Sequence, residues 1–135
     1  MPQRPDDHSI LDHVLLWRRV HPTQIELDPH TGKPDVSSGA LSTREEVSVS
    51  LATETTLELF LKDNPEHSVI EFTAGAARRL GCTVVRDPLP HDPAHALVCG
   101  SKSRGQLNKT QQELLNKEAR VLVMGKVGGR QPIIE

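Results

Sequence analysis

The sequence predicts one small α+β domain, with a mixed or antiparallel sheet and two to three short helices. Its length of 135 residues suits a single domain. Short strand-like and helix-like segments alternate along the chain, and the first of them are strands only, which favours α+β over a regular doubly wound fold. We divide the chain into a disordered lead over 1–9, the domain over 10–125 and a flexible tail over 126–135.

Apolar and alternating segments place the strands. The first is apolar and partly β-branched and stops before Pro22, whereas residues 47–51 alternate apolar and polar side chains as a half-buried strand does. The predicted strands cover 14–21, 23–27 (a continuation of the first or a second short strand), 47–51, 67–72, 83–86 and 95–99. The segments 28–34 and 37–41 are rich in turn residues and predict loops.

Capping residues and apolar spacing place the helices. Thr53 is expected to cap a helix over 54–63, and Thr73 a shorter helix that ends at Gly81. The predicted helices cover 54–63, 74–80 and 107–119. Residues 121–124 form either a final strand or the end of the third helix.

Composition and charge limit the classes of function. The formal net charge of -2 predicts no general attraction to nucleic acid or to an anionic membrane. Residues 1–101 carry 9 Lys/Arg against 15 Asp/Glu, whereas 102–135 carry 7 against 3. This basic segment is either a solvated helix face or a tail that docks on an acidic protein partner. It has no interleaved aromatic residues, so it gives no clear signal of nucleic-acid binding.

The chain also lacks the marks of a membrane or exported protein. No segment approaches the roughly 18–20 consecutive apolar residues of a membrane helix. The start of the sequence is polar and acidic rather than shaped as a signal peptide, so a cytoplasmic location is expected. Cys82 and Cys99 are then expected to remain thiols.

The first candidate site lies on the first strand. Alternate side chains of a strand share one face, so Trp17, Arg19 and His21 are expected to point the same way. An arginine fork, an imidazole and an aromatic ring on one face could bind a phosphate or a nucleotide. The alternative is a solvent-facing strand with Trp17 partly buried.

Two further candidates lie in the loops and strands that follow. The backbone around Ser37, Ser38 and Gly39 could form an anion-binding nest, although Ser and Gly are also ordinary turn residues. His95 could contact a ligand, or it could be a core histidine bonded to a loop carbonyl. His91, His95 and Cys99 are evenly spaced, but a strand separates the last two by about 13 Å, so no metal site is expected.

Several stretches together resemble a small uncharacterised bacterial protein family. They are Arg18-Arg19-Val20-His21-Pro22, Ser37-Ser38-Gly39-Ala40, Ser48-Val49, Phe72-Thr73-Ala74-Gly75, Asp87-Pro88 and Pro93-Ala94-His95-Ala96-Leu97-Val98. This resemblance implies no particular activity.

The order of motifs is also similar to that of ADP-ribosyltransferase-like domains. In both, a strand with Arg or His precedes a Ser- and Gly-containing loop, then a strand with a polar residue, then a helix. This similarity implies NAD as the cofactor, with Arg19 on a phosphate, His21 on a ribose hydroxyl and Ser48 in the nicotinamide pocket.

Two hypotheses of function follow. The first is a small accessory domain that binds a protein partner and needs no cofactor. The second is an NAD-binding, ADP-ribosyltransferase-like enzyme or toxin, with Arg19, His21 and Ser48 as the candidate catalytic residues. The residue pattern leaves open whether the chain is an enzyme.

Overall fold

A computed structural model describes residues 4–125 and contains one six-stranded antiparallel sheet and one small two-stranded sheet. The strands are β1 (Leu15–Val20), β2 (Ile25–Leu27), β3 (Pro34–Val36), β4 (Val47–Leu51), β5 (Ser68–Thr73), β6 (Thr83–Arg86), β7 (His95–Cys99) and β8 (Arg120–Val123). The large sheet has the order β6-β7-β4-β1-β5-β8, and β2 pairs with β3. The predicted α+β class is confirmed. Residues 121–123 belong to the edge strand β8, not to the preceding helix.

Three short α-helices connect the strands, each with a capped start. They are α1 (Leu57–Phe60), α2 (Ala74–Arg79) and α3 (Lys109–Glu118). Thr73 caps α2 as predicted, since its hydroxyl accepts from the Ala76 amide at 3.0 Å. Asn108 caps α3, and its neighbours in the first turn complete a capping box.

The prediction for the first helix is wrong in its start, its cap and its end, since α1 stops at Phe60 rather than at residue 63. The residues Ala52–Glu54 form a 3₁₀ turn, and α1 begins only at Leu57. Thr56 is the cap, because its hydroxyl accepts from the Leu59 amide at 3.2 Å. Two threonines a few residues apart offer the same capping chemistry, so spacing alone does not choose between them.

One face of the large sheet builds the core. Its alternate side chains pack with the alanines of α2, with Leu107 just before α3 and with Leu115 of α3. Those contributed by the strands are Leu16, Val20, Val47, Val49, Leu51, Ile70, Phe72, Val84, Ala96 and Val98. The other face, here called the second face, carries Trp17, Arg19, Ser48, Ser50, Glu71 and His95. The register of the strands places polar chemistry on that second face, with α1 packed against part of it.

The segment before β1 is bound to the sheet edge, so the expectation of a disordered lead over 1–9 does not hold for residues 4–9. The Asp7 amide donates to the Val84 carbonyl at 2.9 Å, and the Asp6 carboxylate accepts from the Val84 amide at 2.8 Å. Arg78 donates to the same carboxylate at 3.1 Å. These bonds occupy backbone groups that the edge strand β6 would otherwise expose.

Two further expectations concern the ends of the chain and membranes. The predicted flexible tail over 126–135 lies outside the described residues. Over 4–125, none of the helices has the length and apolar character that crossing a membrane requires.

Candidate functional site

On the second face, one row of paired side chains crosses five neighbouring strands, from β7 to β8. Ser50 pairs with Trp17 on one side and with His95 on the other, and Trp17 also pairs with Glu71. Residues directly opposite each other in antiparallel strands lie close together. Glu71 is buried and accepts from the Trp17 indole at 2.9 Å and from Arg120 Nε at 2.6 Å. This ion pair fixes one end of the row.

A cavity opens where β1 and β4 part. The two strands pair at Leu16 with Leu51 and at Trp17 with Ser50, and the paired register ends there. Beyond that point the Arg18 guanidinium spans the gap, since its Nη1 donates to the Ser48 carbonyl at 3.1 Å. Its Nε donates to the Ala40 carbonyl at 2.9 Å. The arginine thus replaces backbone partners that a continuous ladder would supply.

Two neighbouring cavities share Arg19 and Phe60 and are together called the cleft; the smaller is called the inner part and the larger the outer part. The inner part measures about 70 Å³ and is lined by Arg18, Arg19, Ser48, Val49, Ser50, Phe60 and His95. The outer part measures about 530 Å³ and lies between α1 with the residues after it and the loop that carries His91, Asp92 and Pro93. Arg19 and Phe60 line both parts, so they stand at the boundary between them.

The two adjacent arginines of the inner cavity have no acidic partner. Within residues 4–125, neither Arg18 nor Arg19 forms an ion pair with a carboxylate, whereas the similarly buried Arg78 binds Asp6 and Asp12. Burial and the nearby Arg19 charge lower the pKa of Arg18 to about 10. The Arg18 guanidinium therefore stays charged at neutral pH, in a partly desolvated place.

Arg19 is held by α1. Its Nη1 donates to the Phe60 carbonyl at 2.5 Å, and its guanidinium lies 4.5 Å from the centroid of the Phe60 ring. The same ring packs against Trp17, with centroids 5.9 Å apart. A cation over an aromatic face is attracted by the ring quadrupole, so Phe60 orients the arginine as well as filling space.

Ser48, His95 and Asp87 form a hydrogen-bonded series at the floor of the cleft. His95 Nε2 lies 3.1 Å from Ser48 Oγ. His95 Nδ1 lies 2.8 Å from the Asp87 carbonyl oxygen and 3.2 Å from its carboxylate Oδ2. Both Asp87 groups are acceptors, so Nδ1 must carry the proton. In the neutral ring Nε2 then has a lone pair, and the Ser48 hydroxyl donates to it.

The cleft unites four of the eight residues proposed from the sequence as ligand-binding or catalytic. Arg19, Ser48 and His95 line the inner cavity, and Trp17 packs on its Phe60 wall. The loop carbonyl expected for His95 is that of Asp87, as the core interpretation predicted, whereas the ligand interpretation stays a prediction.

His21 lies apart from the cleft. The strand β1 ends at Val20, because Pro22 begins a 3₁₀ turn that His21 caps. The exposed imidazole is 2.7 Å from the Thr23 hydroxyl and meets the His67 ring edge-on, with centroids 6.0 Å apart. The alternation that would place it beside Arg19 therefore stops one residue too early.

The Ser37–Ser38–Gly39 segment also lies elsewhere. Residues Ser38–Leu41 form a 3₁₀ turn, and the Gly39 amide donates to Ser37 Oγ at 3.4 Å. Ser37 lines a separate cavity of about 590 Å³ together with Glu26 and Asp35, whose carboxylates disfavour an anion. The proposed anion nest therefore lines neither cavity of the cleft, although Arg18 donates to the Ala40 carbonyl of the same turn.

Three residues of the cleft did not emerge from the sequence. Arg18 occupies a core-side position of β1, where the strand pattern gave it no role. Asp87 begins a proline-rich loop, and its contact with His95 bridges eight positions of sequence. Phe60 was assigned to the apolar face of a longer helix. Over the described part of the chain, no group of three or more His, Cys, Asp or Glu side chains is placed to hold a metal ion.

The chain matches no protein-family model, no curated protein and no solved structure. The similarity to a bacterial family and the motif order shared with ADP-ribosyltransferase-like domains stay predictions. The function must therefore be argued from the cleft itself.

Proposed function

We propose that the cleft binds a small phosphate-bearing ligand, with NAD as the first candidate. The observation that carries this proposal is the pair Arg18 and Arg19, two partly buried cations beside one cavity that form no ion pair with a carboxylate within residues 4–125. NAD is the candidate because the motif order of the sequence is similar to that of NAD-using transferases.

Electrostatics favour an anion at the inner cavity. Two like charges that are partly removed from water raise each other's energy, and an anion between them offsets that cost. An arginine fork matches the oxygens of a phosphate group geometrically as well as in charge. The exposed Ser48 hydroxyl at the same cavity supplies a further polar contact.

Size favours a ligand larger than phosphate alone. The outer cavity of about 530 Å³ falls within the usual 300–1,000 Å³ of small-molecule sites. The inner cavity of about 70 Å³ holds only a small group. We therefore expect the phosphate at the arginines and the uncharged ribose and base in the outer cavity, because the Glu54, Asp63 and Asp92 carboxylates that line it disfavour a second anion there.

A thermal-shift titration with NAD, ADP-ribose and pyrophosphate tests the proposal. A ligand at one hundred times its Kd adds about 2.7 kcal/mol to the free energy of unfolding. For a domain of this size that corresponds to a rise in Tm on the order of 10 °C. Arg19→Ala should abolish the rise, while Arg44→Ala should keep it, because exposed Arg44 lines neither part of the cleft.

The outcomes divide plainly. A saturable rise in Tm with all three compounds supports a phosphate site. A rise with NAD and ADP-ribose but not with pyrophosphate indicates that the site also recognises the ribose. No rise at millimolar concentrations of any compound would contradict the proposal. An equal rise in the Arg19→Ala variant would place the ligand elsewhere.

The accessory domain that binds a protein partner stays a prediction, as does the cytoplasmic location. Four large apolar side chains, Leu11, Leu15, Leu59 and Leu114, are exposed and could contribute to such an interface. A pull-down from the native host that recovers no specific partner would count against it.

A further inference from the structure

We propose that Ser48 is a nucleophile activated by His95, and that the chain hydrolyses small carboxylic esters through an acyl-Ser48 intermediate. This inference goes beyond ligand binding and does not depend on NAD. It rests on the contacts among Ser48, His95 and Asp87 at the floor of the cleft.

The contacts have the geometry of a nucleophile (Ser48), a general base (His95) and a carboxylate that orients the base (Asp87). A serine hydroxyl is a weak nucleophile until a base within hydrogen-bond reach removes its proton. His95 Nε2 is in reach at 3.1 Å, and the two Asp87 oxygens fix the tautomer that leaves Nε2 free to accept. Asp87 also stabilises the imidazolium that forms when His95 takes the proton.

Exposure distinguishes Ser48 from its neighbour Ser50 on the same strand. Ser48 is exposed to solvent, so a substrate can approach its oxygen. Ser50 has 1% of its surface exposed, and its hydroxyl donates to the Asp92 carboxylate at 2.6 Å. Of these two hydroxyls, Ser48 combines access with a histidine base. His95 is itself buried, which holds the imidazole in place.

Two arginines line the cavity in which the negative charge would develop. Attack on an ester carbonyl produces an oxyanion, and fixed cationic or N–H donors at that position lower the barrier. Arg18 donates to the Ser48 carbonyl, and Arg18, Arg19 and Ser48 all line the inner cavity. The guanidinium groups are held by backbone carbonyls, so they need little reorganisation when charge forms.

The reaction balances with water as the co-reactant. Ser48 Oγ bonds to the ester carbonyl carbon while its proton passes to His95 Nε2. The bond from that carbon to the leaving oxygen then breaks, and His95 returns the proton to release an alcohol. Water next attacks the acyl-Ser48 ester and gives a proton to His95. Cleavage of the acyl–Oγ bond, with return of that proton to Ser48, releases the carboxylic acid.

The inner cavity limits the acyl group. At about 70 Å³ it has room for a few water molecules, hence for a short acyl chain rather than a fatty one. We expect p-nitrophenyl acetate to be cleaved faster than p-nitrophenyl octanoate.

A fluorophosphonate probe tests the nucleophile directly. Ser48 Oγ would bond to phosphorus as the phosphorus–fluorine bond breaks, with fluoride leaving and the hydroxyl proton passing through His95 to solvent. We expect intact-mass spectrometry to show one adduct per chain, and peptide mapping to place it on Ser48. The Ser48→Ala variant should lose the adduct. Ser42 is exposed and lies outside both cavities, so the control variant Ser42→Ala should keep it.

Two more variants test the roles of the other members. His95→Gln should slow labelling by at least about 100-fold, the usual contribution of a general base. Asp87→Ala should slow it about tenfold, because the position keeps its backbone carbonyl on Nδ1 and loses only the carboxylate contact. Asp87 is a positioning residue, so the Asp87→Ala variant should be labelled at Ser48 more slowly and should keep the Tm of the wild-type protein.

The result is separable from that of ligand binding. Absence of an adduct on the folded wild-type chain, or an adduct that maps to Ser50 and survives Ser48→Ala, would overturn the inference. Ser48→Ala that keeps the NAD-induced rise in Tm would leave the phosphate site intact. Labelling without any rise in Tm would support the nucleophile and count against the phosphate site alone.

Discussion

Phe60 joins α1 to the cleft, and Phe60→Ala tests the packing of α1 on the cleft most directly. Its side chain is 5% exposed and contacts both Trp17 and Arg19. Phe→Ala in a protein core usually costs 3–5 kcal/mol. The aromatic pair contributes about 0.5–1.5 kcal/mol of its own, and the cation over the ring about 0.5–1 kcal/mol.

We expect a loss of about 3 kcal/mol in the free energy of unfolding, the lower end of this range, because α1 has four residues and can relax toward the space left behind. Urea titration followed by circular dichroism measures the loss, with the slope against urea expected to stay unchanged. Phe60→Leu is the matched control and should lose about 1–2 kcal/mol. A loss below 1 kcal/mol for Phe60→Ala would refute the packing of α1 on the cleft.

Three further outcomes follow from the same structure. Arg86 binds Glu54, and this contact holds the pKa of the Glu54 carboxyl below its usual range. The stabilisation is present above about pH 4.5 and is lost as the pH falls through the lower, folded pKa, so Tm should drop on acidification below about pH 4.5, and less so in Arg86→Met. Burial raises the pKa of the Cys82 thiol to about 12 and also raises that of buried Cys99, so both should react with a thiol reagent only after denaturation. A Cβ at Gly100 would overlap the backbone carbonyl oxygen of Gln106, so Gly100→Ala should lower the free energy of unfolding by about 1–3 kcal/mol, measured in a urea titration.

Most strands were predictable because local pattern determines them, but β3 was not, because it begins at Pro34 in a segment whose turn residues predicted a loop. The alternation of residues 47–51 and the apolar run of 95–99 recur as β4 and β7 with the same bounds. The start of the first helix was not predictable, because Thr53 and Thr56 have equal capping chemistry and only the packing of Phe60 selects the second. Local sequence therefore specifies the elements better than their ends.

The cleft was predictable in part. Arg19 and Ser48 could be proposed as polar residues on strands, but their meeting depends on the order of β4 and β1 in the sheet. Asp87 and Arg18 were missed for the same reason. Asp87 reaches His95 through a loop, and Arg18 has a role only because β1 and β4 separate after Trp17. Contacts of this kind are set by tertiary structure, which residue spacing does not encode.

The central claim is that the gap between β1 and β4 is the ligand site of this protein. An NMR titration of ¹⁵N-labelled protein with NAD tests it most directly, because amide shifts report where a ligand binds. We predict saturable shifts centred on residues 18–19, 48–50 and 95, absent from the Arg19→Ala variant. Shifts confined to another surface, or no shifts at millimolar NAD and pyrophosphate, would contradict the claim.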